Sequence, residues 1–517
     1  MQCTIYDKGI PQFLASQNPT RPSANKRSNS FICILGKFAV ASVPFRDETE
    51  IGSTGPMPRS IAMRKPSPSP TVGKSRITTM RKPCLRMIWC YLRTVLHTPQ
   101  QRKSKRSSSL RNSKFFVHFA AISTKFASSQ TPMNKKIYLD NAATTVTDPR
   151  VVDAMLPYFT EKYGNPSSTH FFGQEAHIAL NDARASIAAF LHVAQESVIF
   201  TGGASEAIHL AIKGLAKAHV KKGRHIVASS FEHSTTLAAL NDLSREGWTV
   251  SFVKPNIQGI VDVDAFLAAC TDETSLAILM AVQNEVGTIQ PISAIAQALK
   301  EKKIHFHVDG AQAVGDMNLN LQHLPVTSFV LAAHKFHGPK GIAALYVAPG
   351  VEIETLISGS QEFGLRAGTQ NVPLAVGMQK ALEIQQEEQA LRTERLVEIN
   401  AYARTCLTET IPDIHFHIDA TTPASPHILS IAFPGTSGES LMRRLDLDGI
   451  AVSTASACAS GSGRVSHVLT AMGISEELAQ ATLRLSFSHL TTREEIDALV
   501  TSLAFHVGQI RHMNITY

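Results

Sequence analysis

Lys335 stands at the end of an apolar run. Thr327-Ser328-Phe329-Val330-Leu331 leads through Ala332-Ala333-His334 into Lys335, and Phe336-His337-Gly338-Pro339-Lys340-Gly341 follows as a turn. A lysine at the end of a buried strand is costly unless its charge is paired or its amine is used chemically. Asp309, within His307-Val308-Asp309-Gly310-Ala311-Gln312, lies 26 residues earlier, room for one strand-to-strand excursion in a sheet. An amine and a carboxylate so placed suit pyridoxal 5′-phosphate (PLP), which takes a lysine as a Schiff base and an acid against its pyridinium nitrogen. Taken alone, Lys335 could equally be a surface lysine after an edge strand.

Three further stretches have the same strand-then-turn character. Val198-Ile199-Phe200-Thr201-Gly202-Gly203-Ala204-Ser205-Glu206 reads as a strand, a Gly-Gly turn and a helix start. The unbonded N–H groups of that start form an anion site to which Ser205 can add a hydroxyl. A glycine turn with a serine N-cap and no ligand accounts for it equally well. Phe231-Glu232-His233-Ser234 and Gln283-Asn284-Glu285-Val286-Gly287-Thr288 also follow strands. They place an imidazole and an amide where the strand ends of an α/β sheet open into a crevice. His307 and Asp309 share a strand face, but no third ligand accompanies them, so no metal site is expected.

These residues need a framework that brings distant strand ends together. Residues 225–228, 249–253, 276–280 and 304–308 read as strands. Residues 205–218 read as a helix, with Ile208, Ala211, Ile212 and Leu215 on one face. Such alternation predicts an α/β fold with a mostly parallel sheet and helices on both faces. Residues 372–407 read as one long charged helix bridging two domains, and strands at 427–433 and 451–453 supply a smaller α+β domain. The expected division is a large domain of residues 151–385 and a small one of residues 133–150 and 386–517.

The net charge of +8 averages two unlike segments. Residues 1–132 hold 22 Lys/Arg against 4 Asp/Glu, a net of +18, which leaves −10 for the other 385 residues. The acidic part suggests no nucleic-acid partner. The basic, Ser- and Pro-rich part lacks a helical or strand period and reads as a disordered extension without catalytic role. Its composition also suits an organellar transit peptide. Its apolar islands, residues 31–40 and 87–95, are too short to span a bilayer, so no membrane partner is expected. Cys270, Cys406 and Cys458 are the cysteines beyond the extension. Widely spaced, they make neither a disulfide framework nor a zinc site, which favours a reducing, cytoplasmic setting. Cys458 sits in small, polar, Gly-rich surroundings, Ser453 through Arg464. A passive loop thiol is one reading. A thiol that must move between two partners is the other, favoured because structural cysteines are usually buried.

Further matches accompany these stretches: Tyr138-Leu139-Asp140-Asn141-Ala142-Ala143-Thr144-Thr145, Tyr163-Gly164-Asn165-Pro166-Ser167-Ser168, Gln361-Glu362-Phe363-Gly364-Leu365-Arg366-Ala367-Gly368-Thr369 and Ser456-Ala457-Cys458. Together the chain resembles the NifS-like cysteine desulfurases, PLP enzymes of fold type I in the class-V aminotransferase superfamily, over nearly all of residues 136–505. The resemblance implies a large domain built on a seven-stranded sheet and a homodimer. By position it makes Lys335 the Schiff-base lysine, Asp309 the pyridinium partner and His233 the residue stacked on the cofactor ring. Asn284 and Gln312 would bond the phenolate oxygen or nearby polar atoms, with Asn284 also beside the substrate. Ala204 (through its N–H), Ser205 and His334 would hold the phosphate, with Thr369 arriving from the other subunit. Arg484 would grip the substrate carboxylate, a task suited to its planar fork.

The implied reaction takes L-cysteine to L-alanine. Lys335 moves the Cα proton, His233 shuttles the thiol proton, and Cys458 receives sulfur as a persulfide for an iron–sulfur scaffold or another acceptor protein. The chain departs from the family at Ala332, where a phosphate-binding serine is usual and where the lost hydroxyl should cost about 1–2 kcal/mol of cofactor binding. It departs also at Ser358-Gly359-Ser360 and at Gly463-Arg464-Val465, the latter bearing on partner docking. A selenocysteine lyase or an aminotransferase of the same fold, and a non-catalytic scaffold, are the competing readings.

Overall fold

The computed structural model describes residues 136–454 and 465–515, the last two of these by backbone alone. The expected extension, residues 1–132, and Cys458 lie outside the described residues.

Seven strands form the main sheet: β2 (Val198–Thr201), β3 (His225–Ser229), β4 (Thr249–Val253), β5 (Thr274–Met280), β6 (His305–Asp309), β7 (Ser328–Ala332) and β8 (Ala343–Val347). Their order is β2-β8-β7-β6-β5-β3-β4, and β8 alone runs against the rest. This is the mostly parallel α/β sheet expected. β5, β7 and β8 are buried along their whole length, as strands covered by helices on both faces must be, whereas the edge strand β4 is half-exposed.

Two apolar clusters pack on this sheet. One includes Leu180, Ile187, Val227, Phe306, Phe329 and Met378; the other, on the opposite face, includes Ile208, Leu215, Ile226, Leu240, Ile278 and Leu345. Ile226 and Val227 fall in different clusters because successive strand side chains point to opposite faces. A third core gathers Ile137, Leu139, Ile399, Leu407, Leu429, Leu445, Ile450, Leu483 and Leu503. It lies on two small sheets. β1 (Ile137–Tyr138) pairs in parallel with β11 (Ile450–Ala451). β12 (Ser453–Thr454), β13 (Thr482–Ser486), β10 (Ile428–Ala432) and β9 (His415–Phe416) form an antiparallel four-stranded sheet.

The helix Val372–Thr410 belongs to both units. Its first turns bury Val372, Ala375, Met378 and Leu382 in the main core, and its last turns bury Ile399, Ala403 and Leu407 in the third. Asn371 caps its start by accepting from Leu374 N, and Pro373 fits the first turn, where no N–H is needed. Among the described residues no helix is long and apolar enough to cross a membrane.

Candidate active site

Because β2, β3, β5, β6 and β7 run in one direction, their C-terminal ends open together on one edge of the sheet. Those ends and the segments after them carry Gly202 to Ser205, Glu232-His233, Asn284, Asp309 and Lys335. A cavity of about 710 Å³ lies there, lined by Ala204, Ser205, His233, Asn284, Asp309, Gln312, His334, Lys335 and Arg484 among others. Nine of the residues singled out from the sequence thus share one cavity. Arg484 comes from β13 in the third core, so the cavity lies between the two units.

The glycine turn is built for an anion. Gly203, at φ 155° and ψ 167°, is in a region nearly restricted to glycine, and a Cβ there would project into open space. It starts the helix Ala204–Ala218 without a side-chain cap, which leaves the first N–H groups without a side-chain acceptor at Ala204 and Ser205, both on the cavity wall. Ser205 Oγ lies 3.2 Å from Thr235 Oγ1, tying this start to that of the helix Ser234–Arg245. His334 completes the wall beside Thr144 Oγ1, 3.2 Å from its Nδ1. Burial, then Lys335 and Lys340, pushes the His334 pKa down to about 4, so the ring is neutral and can donate one N–H.

Lys335 Nζ donates to the carbonyl oxygens of Ala142 (2.6 Å) and Ala143 (3.0 Å). Gln312 Nε2 donates to the same Ala142 oxygen at 2.9 Å. The Asn141-Ala142-Ala143 turn therefore sets both side chains. Asp309 is buried, with Oδ1 accepting from Ala311 N at 3.0 Å, which fixes its carboxylate at the end of β6. His233 caps its helix by accepting from Thr235 N. Burial lowers its pKa; Asp309 opposes that, and Lys335 and His467 reinforce it, so the imidazole can accept a proton.

Arg484 is already bonded. It donates through Nη2 to Asp140 Oδ1 at 2.7 Å and through Nη1 to the Asn284 carbonyl at 2.9 Å, while its buried Nε has no partner among the described residues. Thr369 is exposed and does not line this cavity. Ala332 is fully buried at the end of β7 and is not part of the cavity lining.

Two site-adjacent acids had no role assigned from the sequence. Glu232 accepts from Ser229 Oγ (2.5 Å) and Met280 N (2.9 Å), and Glu285 accepts from Ser466 Oγ (2.5 Å). Burial pushes their pKa values up to about 8 and about 7. The available signal was position: each adjoins a site residue, in Glu232-His233 and Asn284-Glu285.

The donor set fits a phosphorylated pyridine aldehyde. An uncapped helix start would suit the phosphate, the buried Asp309 carboxylate a ring nitrogen, and the Lys335 amine the aldehyde carbon.

Comparison with known proteins agrees. The aminotransferase class-V family model matches residues 137–499. Cysteine desulfurase IscS of Clostridium botulinum is 39% identical over 384 residues, covering 74% of this chain and 97% of that protein. Among solved structures, a NifS-like protein superposes with a TM-score of 0.68 at 35% identity, covering 72% of this chain and all of the other. SspA in complex with cysteine gives 0.61 at 32% identity, over 69% and 100%. Enzymes of this class depend on PLP. By its sheet, its cavity and these likenesses, the chain belongs to the class-V aminotransferase family and, within it, to the NifS-like cysteine desulfurases.

Proposed function

We propose that this chain binds PLP in the cavity at the sheet edge and takes sulfur from L-cysteine onto Cys458, releasing L-alanine. The observation that carries the reading is the convergence of Lys335, Asp309, His233 and Arg484 on one cavity from four separate strands. The cysteine in the SspA complex is in keeping with that substrate. PLP, when bound, supplies a sink for the electron pair released as the substrate Cα–H bond breaks.

The chain's own residues do the rest. The first N–H groups of the helix Ala204–Ala218, with Ser205 and His334, hold the phosphate. Asp309 keeps the ring nitrogen protonated. Asn284 and Gln312 bond polar atoms on the ring edge. Arg484 orients the substrate carboxylate. Lys335 takes the proton from Cα, and the neutral His233 takes the thiol proton. Cys458 thiolate attacks the substrate sulfur, so a sulfur–sulfur bond forms as the Cβ–S bond breaks, and Cβ takes up a proton to give alanine. The persulfide then serves an iron–sulfur scaffold or another acceptor.

A homodimer follows from the same reading. Thr369 is exposed and outside its own chain's cavity, which suits a role in the partner copy, and Phe159, Tyr163 and Phe171 are exposed apolar side chains for such a contact. The same reading divides the chain into a large domain of residues 151–385 and a small one of residues 133–150 and 386–517. The third core, from Ile137 and Leu139 to Ile399 through Leu503, supports it, while Ile418, Val468, Leu469, Met472 and Ala479 pack into the main core instead. The test is to incubate the purified, PLP-loaded protein with L-cysteine and measure alanine and sulfide. Equal amounts of both are expected in the presence of a thiol reductant. Transamination products without sulfide would overturn the reading.

A further inference from the structure

Arg484 faces a charge problem in the proposed reaction. Its guanidinium pairs with Asp140 at 2.7 Å, with the Arg484 side chain 5% exposed. A substrate carboxylate would be the second anion on that cation. Glu285 would bring a third close by: it is buried and directly follows Asn284, whose carbonyl Arg484 also bonds. An ionised Glu285, buried and with no cation of its own among the described residues, would add negative charge near a guanidinium already paired with Asp140, at a penalty.

We propose that Glu285 is a positioning residue of the carboxylate subsite, holding its proton so that Arg484 can accept a second carboxylate beside Asp140. The inference rests on the assignment of Arg484 to the substrate carboxylate. Glu285 has one side-chain partner, the Ser466 hydroxyl at 2.5 Å, and no cation within ion-pair distance among the described residues. Ser466 Oγ also accepts from Leu469 N, capping the helix His467–Ala471, so the hydroxyl is fixed from two sides. The charged and titratable groups nearby among the described residues include Arg484 on β13, Asp140 after β1, Glu232 and His233 after β3, His467, and His427, which faces Asp316 at 3.5 Å on the segment bonded to the Gly287 turn. His467 Nε2 is committed to the Glu232 carbonyl at 2.9 Å. Burial holds the Glu285 pKa up to about 7, while Ser466 and Arg484 pull it down. A second carboxylate on Arg484 weakens that last pull, so substrate binding and proton retention favour each other by linkage.

The test uses the PLP-loaded enzyme and two amines that cannot be desulfurated, L-alanine and ethylamine, each titrated against the visible cofactor absorbance. Both remain ammonium ions across the range studied, and His233 and Lys335 act on both alike. Their affinity ratio therefore isolates the carboxylate. The ratio should fall about tenfold between about pH 6 and about pH 8.5, the effect of a one-unit shift in one proton. In Glu285→Gln it should be flat. In Ser466→Ala, which removes a donor favouring the ionised form, the fall should move to higher pH. A preference for L-alanine that does not change with pH in the unmodified enzyme overturns the proposal. So does a slope retained in Glu285→Gln, or an unshifted fall in Ser466→Ala. L-alanine binding no tighter than ethylamine at every pH overturns the Arg484 assignment itself, and the proposal with it.

Discussion

Arg184 and Glu362 form a fully buried fork-to-fork pair, Nη1 to Oε2 at 2.7 Å and Nη2 to Oε1 at 2.9 Å, across 178 residues of chain. Glu362 Oε2 also accepts from Phe200 N at 2.7 Å, and the guanidinium stacks on the Phe200 and Phe363 rings. The pair thereby fastens the segment leading to Thr369 onto β2, beside the glycine turn. A second pair, Arg366 with Glu206 at 2.8 Å, repeats the tie in the first turn of the helix Ala204–Ala218.

Breaking that buried pair from one side leaves an uncompensated charge. Arg184→Ala or Glu362→Ala should cost about 3–5 kcal/mol, read as a shift in the urea unfolding midpoint. Arg184→Met combined with Glu362→Leu should recover much of the loss. Single variants as stable as the original would show that the pair is solvated in solution.

Lys335→Ala should abolish turnover and covalent cofactor retention together, because one amine serves both. Borohydride reduction followed by peptide mass spectrometry should find the pyridoxyl group on the Lys335 peptide of the unmodified chain and on no peptide of the variant. The group on another lysine would move the assignment.

Cys458→Ser should still bind L-cysteine with a change in the cofactor spectrum and form no persulfide, since a hydroxyl is a far poorer nucleophile than a thiolate. Cys270 and Cys406 are half-buried thiols, and burial raises the Cys270 pKa, so their replacement should leave turnover nearly intact. Added sulfur on either of those peptides would redirect the mechanism.

Stability should fall between about pH 6.5 and about pH 8. Over that range Glu232 keeps its proton in the folded chain, with a pKa of about 8, and has lost it in the unfolded chain, so the unfolded state binds fewer protons. Glu285, at about 7, acts the same way over the lower part of the range. Each contributes a slope of about −1.4 kcal/mol per pH unit while its folded form stays protonated. Below about pH 6.5 the buried His307, held down to about 3, works in the opposite sense and destabilises as pH falls. Unfolding midpoints of Glu232→Gln should decline less steeply above pH 6.5; an unchanged decline would place the titration elsewhere.

A variant beginning at Met133 should bind PLP and turn over as the full chain does. The class-V match begins at residue 137, and the aligned part of this chain already covers 97% of the Clostridium botulinum enzyme. An insoluble or inactive variant would assign the basic segment to the fold.

The chemistry of this site was legible along the chain because each of its parts is local. A strand followed by a turn announces where a side chain emerges, so Lys335, Asp309, His233, Asn284 and the Gly202-Gly203 turn could each be placed at a strand end from their own neighbours. Parallel direction then obliges those ends to meet on one edge. The long helix Val372–Thr410 was readable for the same reason, its period being written in consecutive residues. What the tertiary structure alone decided is the state of the charges. Asp140 and Arg484 stand 344 residues apart, as do Arg184 and Glu362 by 178, and no local pattern pairs them. Glu232 and Glu285 look like ordinary turn acids in the sequence. Burial raises their proton affinity against the opposing pull of the hydrogen bonds from Ser229, Met280 and Ser466, because desolvation depends on what packs around a carboxylate and not on what precedes it in the chain.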